Sequence, residues 1–237
     1  MIKAIFFDMD GTLLGMDETK FTKLYFHFLS EKLKPYGYDQ TKLLNAIMKG
    51  LERMYLNDGK KTNEDVFWQC FNEIYGEDKK KDMEVFRSFY LNEFANTKIA
   101  TTQNPYAKEI VSFCRKNFDY TILSTNPIFP AEAQQTRMSF VGLKPSDFDF
   151  VTDYSNSSYC KPNPKFFSFL LDKFHLRPEE VILFGNDYVE DGDCASFLGI
   201  KVYLINGCLL KREKSKTDYP IVEMNQVIDV LKKEMGN

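Results

Sequence analysis

A short apolar run, Ala4–Phe7, lies near the start of the chain, and two carboxylates follow it at Asp8 and Asp10. Uninterrupted apolar runs of this kind are typical of strands buried on both faces of a parallel sheet. Open α/β sheets place their active sites at the carboxyl ends of such strands. The pattern therefore predicts a buried strand followed by a candidate nucleophile, acid/base partner and cation site. An Asx-type turn that only ends the strand is the alternative interpretation.

Helical periodicity replaces the strand pattern after Leu14. Apolar residues recur at a spacing of about 3.6, and polar or glycine-bearing turns separate the segments. The helices predicted for this block are Phe21–Leu33, Leu43–Leu56, Glu64–Tyr75 and Asp82–Phe94. Because the block shows no convincing strand, we interpret residues 15–97 as an inserted, all-helical domain.

Strands and helices alternate again from about Thr101. The predicted strands are Tyr120–Ser124, Phe148–Val151, Val181–Phe184 and Lys201–Ile205. The predicted helices are 105–116, Ile128–Phe140, Lys165–Phe174, Asp191–Leu198 and Val222–Lys233, and Lys211–Lys216 is expected to be a solvated loop. This alternation predicts an α/β fold with a doubly wound, mostly parallel sheet. Residues 1–14 and 98–237 would form that core domain.

Charge and cysteine usage narrow the classes of function. A net charge of −3 over 237 residues predicts no general affinity for nucleic acid or an anionic membrane. The five cysteines lack paired spacing, which favours reduced thiols and a cytoplasmic location over a disulfide scaffold or a zinc site. The start of the chain shows no basic region followed by a long apolar stretch. We therefore expect no signal peptide and no membrane span. The oligomeric state is left open.

Hydroxyl and amide side chains follow the strand predicted at Tyr120–Ser124. Ser124 or Thr125 could donate a hydrogen bond to a phosphoryl oxygen, and Asn126 could hold the loop. Capping of the strand end would explain the same residues.

Lys161 lies in a proline-rich stretch just before a predicted helix. A cation beside the positive end of a helix dipole is unfavourable unless an anion neutralises it, which suggests an anion site. A solvated surface lysine is the alternative.

Acidic side chains crowd the turn after the strand Val181–Phe184. Asp187, Glu190 and Asp191 would repel one another, and a hard cation such as Mg²⁺ would relieve that repulsion. Asp191 could instead stabilise the first turn of its helix.

These motifs, taken in order, closely resemble those of the haloacid dehalogenase-like (HAD) hydrolase superfamily. The motifs are D-x-D-G-T at 8–12, Thr125-Asn126, Lys161-Pro162 and G-N-D-x-x-x-D at 185–191. The helical insertion resembles the cap domain of the phosphoglycolate phosphatase-like members. The resemblance implies a Rossmann-like core domain and a helical cap domain.

The resemblance also implies catalytic and phosphate-binding roles. Asp8 would be the nucleophile that forms an aspartyl-phosphate, and Asp10 would be the general acid and base. Thr125, Asn126 and Lys161 would hold the phosphoryl group. Thr125 is preferred over Ser124 because it directly precedes Asn126, as in the family pattern.

The cofactor implied is Mg²⁺. Asp8, the main-chain carbonyl of Asp10 and Asp187 would ligate it, with Asp191 helping directly or through water. Asn186 takes the first acidic position if the motif is aligned without a gap. Asp187 is preferred because an anionic oxygen suits Mg²⁺ better than an amide.

The function implied is a Mg²⁺-dependent phosphatase of a small phosphorylated metabolite. A phosphomutase is the first alternative, because the same residues would serve it. A haloacid dehalogenase is less expected, because those members lack the second acid that Asp10 supplies here. An inactive binding or regulatory module is the remaining alternative. Trp68 is expected in the core of the cap. Four basic residues could bind the substrate if a turn of the cap faces the site, but a solvated position is expected for them: Lys49, Arg53, Lys60 and Lys61.

Overall fold

The computed structural model describes residues 1–76, 82–211, 215 and 217–236. Its strands are β1 (Ala4–Phe7), β2 (Gly15–Met16), β3 (Thr101–Thr102), β4 (Tyr120–Leu123), β5 (Phe150–Val151), β6 (Val181–Gly185), β7 (Lys201–Ile205) and β8 (Ile221–Val222). Its α-helices are α1 (Glu18–Leu33), α2 (Gln40–Tyr55), α3 (Asn63–Tyr75), α4 (Met83–Leu91), α5 (Ala107–Asn117), α6 (Ala131–Phe140), α7 (Lys165–Phe174), α8 (Cys194–Ser196) and α9 (Val227–Met235). Within these residues, no helix is both long and apolar enough to cross a membrane.

The main sheet has the strand order β5-β4-β1-β6-β7-β8, and every neighbouring pair is parallel. Strand β1 lies near its centre and is fully buried. Ile5 and Phe7 pack toward α5 and α9 on one face, and Ala4 and Phe6 pack toward α7 on the other. The doubly wound α/β fold is therefore confirmed. The flanking strands β4 and β6 both enter by crossovers, so a crevice forms at the carboxyl end of β1.

The helical block is joined to this core by a short antiparallel ribbon. Strand β2 pairs with β3, with Gly15 opposite Thr102 and Met16 opposite Thr101. The block has its own apolar core, in which Leu29, Phe71 and Phe89 come from different helices. A strand thus starts a region that was expected to be all-helical, while the predicted domain boundaries stay a prediction.

The helix predicted at Asp82–Phe94 is wrong at its end. Helix α4 stops at Leu91, and Phe94 belongs to a separate 3-10 helix, Glu93–Ala100. Asn92 leaves helical geometry, with φ −125° and ψ −81°. Its side-chain Nδ2 atom donates a 2.7 Å hydrogen bond to the Ser88 carbonyl. That local bond competes with continuation of the helix.

Three other predicted helices begin or continue differently. Residues 128–130 precede α6 instead of opening it, since a residue before Pro130 avoids helical geometry. The segment predicted as Asp191–Leu198 is a π-helix, Tyr188–Asp193, followed by α8. The segment predicted as Val222–Lys233 starts as strand β8, because two apolar residues extend the sheet beside β7. The predicted loop Lys211–Lys216 lies largely outside the described residues.

The start of α3 is bonded directly to the core. Asn63 is fully buried, and its amide nitrogen donates to the Pro127 carbonyl at 3.1 Å and to the Cys160 Sγ at 3.3 Å. Its main-chain N–H donates to the Ser157 carbonyl at 2.8 Å. The β2–β3 ribbon and this Asn63 joint therefore both attach the helical block to the core, and the ion pair between Arg87 and Glu132 is a further contact between them.

Candidate active site

The loop after β1 is fixed by tight backbone bonds. The Asp8 N–H donates to the Phe184 carbonyl at 2.9 Å, and the Gly11 N–H donates to the Leu14 carbonyl at 2.7 Å. Gly11 has a φ of +84°, and a Cβ there would lie 2.2 Å from the Nδ2 atom of Asn186. Only glycine satisfies both constraints, so this turn brings the loop after β1 against the loop after β6.

A buried lysine lies between two carboxylates. Lys161 Nζ donates to Asp8 Oδ1 at 2.7 Å and to Asp191 Oδ1 at 2.6 Å. Lys161 is only 1% exposed, so the structure excludes the alternative of a solvated surface lysine. The other oxygen of Asp8, Oδ2, has a 3.5 Å contact with the Thr12 hydroxyl.

The pKa values of Asp8 and Lys161 are both raised, but for different reasons. Burial raises the pKa of Asp8 to about 7, against the lowering effect of Lys161. Burial alone would lower the pKa of Lys161, but the carboxylates of Asp191 and Asp8 outweigh it and raise that pKa above its ordinary value. Lys161 is therefore cationic, and burial keeps the pKa of Asp8 raised in spite of this neighbouring cation.

Both carboxylate oxygens of Asp191 accept hydrogen bonds. Oδ1 accepts from Lys161, and Oδ2 accepts from the main-chain N–H groups of Asn186 and Asp187 at 3.0 and 3.1 Å. A Cβ on Gly185 would come within 2.4 Å of Asp191 Cγ, so the glycine admits this close packing. These bonds fix the position of Asp191, and its expected help in ligating Mg²⁺, directly or through water, stays a prediction.

Asp187 and Asn186 also take fixed positions in this loop. Asp187 Oδ1 caps the π-helix by accepting from the N–H groups of Val189 and Glu190. Asn186 accepts from the Thr12 hydroxyl at 3.2 Å and donates to the Cys208 carbonyl at 2.8 Å. Both residues line the cavity, and the Asn186 amide also ties the loops after β1 and β6 together.

Asp10 is bound by an arginine that sequence reasoning missed. Arg137 of α6 is 1% exposed and forms an ion pair with Asp10 Oδ2. Its guanidinium also bonds Gln134 and lies 4.8 Å from the centre of the Phe129 ring. Burial raises the pKa of Asp10, and Arg137 opposes that rise. Within the described residues, Asp10 Oδ1 is buried without a hydrogen-bond partner.

The hydroxyls after β4 have different surroundings. The Ser124 hydroxyl donates to the Phe7 carbonyl at 3.2 Å, so it serves the sheet. Thr125 lines the cavity, and its role in binding a phosphoryl oxygen stays a prediction. The Asn126 amide nitrogen donates to the Lys161 carbonyl at 3.2 Å and to Glu190 Oε2 at 3.0 Å. Asn126 thus holds the loops that carry Lys161 and the acidic motif.

One cavity of about 450 Å³ contains all the predicted site residues. We call the polar side of the cavity, which the α/β core domain supplies, its floor. The floor comprises Asp8, Asp10, Thr125, Lys161 and Asp187. The aromatic wall of the cavity comes from α1, α3 and α4 and comprises Phe26, Phe67, Trp68 and Tyr90. Trp68 therefore lines the cavity as well as packing against the rings of the block's core.

The four basic residues considered as substrate readers do not line this cavity. They are exposed and bonded to polar neighbours on the surface: Lys49 to Glu52, Arg53 to Glu73, Lys60 to Asp58 and Lys61 to Gln69. The solvated position expected for them is confirmed.

The oxygen donors fit Mg²⁺ better than an ion that needs a complete protein cage. The described residues contain no cluster of three acidic, cysteine or histidine side chains suited to a metal on their own. Mg²⁺ typically takes one or two carboxylates together with waters and a phosphate. Asp8 and Asp187 supply two carboxylates to one cavity, which matches that donor set.

Comparisons with known proteins agree on the fold. A family model for haloacid dehalogenase-like hydrolases matches residues 2–193. The glyceraldehyde 3-phosphate phosphatase of Pyrococcus furiosus is 35% identical over 81 residues, which are 32% of this chain and 34% of that protein. The matched part thus spans about a third of the length of this curated relative.

Two solved structures cover almost the whole chain. A 2-haloacid dehalogenase from Pseudomonas syringae pv. Tomato has a TM-score of 0.65 at 16% identity, with 99% of this chain and 100% of that chain covered. A HAD phosphatase from Thermococcus onnurineus has a TM-score of 0.59 at 20% identity, with 97% and 98% covered. At these identities the likeness concerns the fold.

Proposed function

Because the chain belongs to the haloacid dehalogenase-like hydrolase family, we propose that it is a Mg²⁺-dependent phosphatase of a small phosphorylated metabolite. The observation that carries the proposal is the convergence of Asp8, Asp10, Lys161 and Asp187 on one cavity, with Lys161 2.7 Å from Asp8. The partial match to a sugar-phosphate phosphatase supports the same class of reaction.

In the first step, Asp8 is the nucleophile. Its Oδ2 atom attacks phosphorus, and the bond from phosphorus to the ester oxygen breaks, which leaves an aspartyl-phosphate. Asp10, protonated at its unpartnered Oδ1 atom, gives that proton to the departing oxygen. Burial raises the pKa of Asp10, which favours the protonated form that this step requires, although Arg137 opposes that rise.

In the second step, Asp10 acts as the base. It takes a proton from water as the water oxygen attacks phosphorus, and the bond between phosphorus and Asp8 breaks. Inorganic phosphate leaves, and both carboxyl groups return to their starting states. One residue serves both steps because, after giving its proton to the leaving alcohol, it is a carboxylate that can take a proton from water.

The remaining polar residues hold the reacting groups. Lys161 and Thr125 bind the phosphoryl oxygens, where a fixed cation stabilises the transition state. We assign Asp191 to the positioning of Lys161, because both of its oxygens are engaged. Asn126 positions the phosphate-binding loops, and Arg137 orients Asp10.

Asp8, the main-chain carbonyl of Asp10 and Asp187 would hold the Mg²⁺. When bound, the ion would offset the repulsion between the nucleophile and the phosphoryl oxygens. We also place the reaction in the cytoplasm, since all five cysteines are free thiols.

Two alternatives within the family are less favoured. A phosphomutase would use the same carboxylates, but the aromatic wall offers few partners for sugar hydroxyls. A dehalogenase needs no proton donor for its leaving halide, whereas Asp10 is held here by a buried arginine.

Release of inorganic phosphate from a panel of phosphate monoesters tests the proposal. We expect turnover with Mg²⁺, loss with EDTA, and recovery when Mg²⁺ is restored. Asp8→Asn should be inactive, while the matched surface variant Asp58→Asn should retain full activity. Turnover by Asp8→Asn at the rate of the unmodified protein would overturn the assignment. Conversion of a sugar phosphate to its isomer without release of phosphate would identify a phosphomutase.

A further inference from the structure

The side of the cavity that the helical block supplies is largely apolar and aromatic, with Glu18 and Thr22 as polar exceptions. Phe26, Phe67, Trp68 and Tyr90 are all half-buried, so part of each ring is open to the cavity they line. The hydroxyls of Tyr25 and Tyr90 bond each other at 2.9 Å, which reduces what this wall can offer to a polar ligand. Sites of this kind bind apolar groups and fix them with a few polar contacts.

Charge within the cavity argues against a second anion on the substrate. Among the described residues that line it, six carboxyl side chains face two cationic ones, Lys161 and Arg137. Both cations are already bound to carboxylates, Lys161 to Asp8 and Asp191, and Arg137 to Asp10. A carboxylate or second phosphate on the leaving group would therefore be desolvated without a cation to pair with.

From these two observations, we propose that the cavity receives a phosphate monoester whose leaving group is an uncharged aromatic alcohol. The inference rests on the proposed phosphatase function and names its substrate class. Rings from three helices of the block bury the aromatic group, while the floor binds its single phosphate. Aromatic groups gain both buried area and edge-to-face or stacked contacts in such a wall.

Three primary alkyl esters compare leaving groups of similar chemical reactivity. We expect the aromatic ester, 2-phenylethyl phosphate, to be hydrolysed with a higher kcat/KM than glycerol 3-phosphate and phosphoglycolate. The expected ratio is on the order of 10- to 100-fold, from burial of the ring. A higher kcat/KM for either of the other two esters would overturn the substrate class.

Direct binding tests the same preference without turnover. Trp68 is the only tryptophan of the chain and lines the cavity, so its fluorescence reports the occupancy of the wall. With Mg²⁺ present, 2-phenylethylphosphonate should bind at least about tenfold more tightly than phosphonoacetate. Equal or tighter binding of phosphonoacetate would overturn the inference. Failure of the phosphatase proposal is distinct, since it would leave every ester unhydrolysed while the phosphonates still bind.

Two variants locate the preference in the wall. Phe26→Leu keeps the fluorescent residue and should weaken 2-phenylethylphosphonate binding about 3- to 10-fold with no change for phosphonoacetate. The control Phe197→Leu removes a ring that is 78% exposed and outside the cavity, so it should change neither affinity. Met48→Lys places a cation at a cavity-lining position that is 52% exposed, and it should narrow or reverse the preference. Unchanged ratios in both Phe26→Leu and Met48→Lys would exclude the wall as the binding surface.

Discussion

In the floor of the cavity, charged side chains are bonded to one another, whereas in the aromatic wall rings pack through apolar contacts. Lys161 has two carboxylate partners, and Asp10 has the guanidinium of Arg137. The wall is built from partly buried side chains that pack against the core of the helical block. The ion pairs of the floor thus hold individual charged atoms in position, while the rings of the wall define the shape of the cavity. Substitutions should therefore affect chemistry in the floor, and affinity or stability in the wall.

Asp8→Asn should show the largest effect of any floor substitution. An amide is not a nucleophile, so we expect kcat to fall by about 10⁴-fold or more, as for other lost nucleophiles. Phosphate release measures this loss. The folded protein should survive, because burial raises the pKa of Asp8 to about 7 and its ionisation costs stability as the pH rises toward that value. The thermal midpoint of the variant at pH 8 without Mg²⁺ should equal or exceed that of the unmodified protein.

Asp10→Asn should cost about 10²- to 10⁴-fold in kcat, the range for a lost acid/base. An ester with a good leaving group, such as 4-nitrophenyl phosphate, needs less help from an acid in the first step. Rapid-mixing measurements should therefore detect a burst of 4-nitrophenol, followed by slow release of phosphate. Equal slowing of both phases would contradict the two-step role of Asp10.

Arg137→Met should lower kcat by about 10²-fold while KM changes little, because Asp10 loses its fixed orientation. Methionine fills much of the same buried space, and the thermal midpoint measures any loss of packing. If Asp10 does not depend on Arg137 for its orientation, kcat will remain within about twofold of that of the unmodified protein. Arg137 would then contribute to stability alone. Asp10→Asn combined with Arg137→Met tests the pairing, since the two losses should not multiply.

Gly185→Ala tests the packing beneath Asp191. The added Cβ would lie about 2.4 Å from Asp191 Cγ, so the carboxylate must shift and take Lys161 with it. We expect a loss of stability of about 1–3 kcal/mol and weaker inhibition by inorganic phosphate. Gly207→Ala supplies a control for strain alone, because it has a φ of +108° and an open surrounding. Inhibition by phosphate should be unchanged in the control.

Tyr25→Phe should have the smallest effect, and it tests the hydrogen bond that Tyr25 makes with the wall residue Tyr90. It removes the 2.9 Å hydrogen bond with Tyr90 and keeps the ring, so unfolding should become easier by about 0.5–1.5 kcal/mol. Chemical denaturation measures the change. The kcat for a small ester should stay the same, and a large loss of kcat would erase the distinction between the floor and the wall.

The floor could be predicted because its residues stand in motifs at strand ends. Asp8, Lys161 and Asp187 follow or precede recognisable elements, and a parallel sheet brings such ends together. Arg137 was missed because an arginine within a helix is usually solvated. Its position among buried neighbours on α6, three residues after Gln134, was the available signal. Strand β8 was missed because two residues carry almost no periodicity.

The wall could not be predicted from spacing. Rings at helical intervals, such as Phe67 and Trp68, produce the same pattern whether they pack inward or face a cavity. Deciding between the two requires the relative placement of the helical block and the sheet. The β2–β3 ribbon and the Asn63 joint contribute to that placement. Both join residues that are far apart in the sequence, and no local sequence pattern predicts such contacts.

The Asn63 joint also has a kinetic consequence. Its amide nitrogen contacts the residues next to both phosphate-binding loops, since Pro127 follows Asn126 and Cys160 precedes Lys161. When α3 lifts, both loops lose the same tether at once. We therefore expect departure of the product and relaxation of the phosphate-binding loops to occur as one event with a single rate.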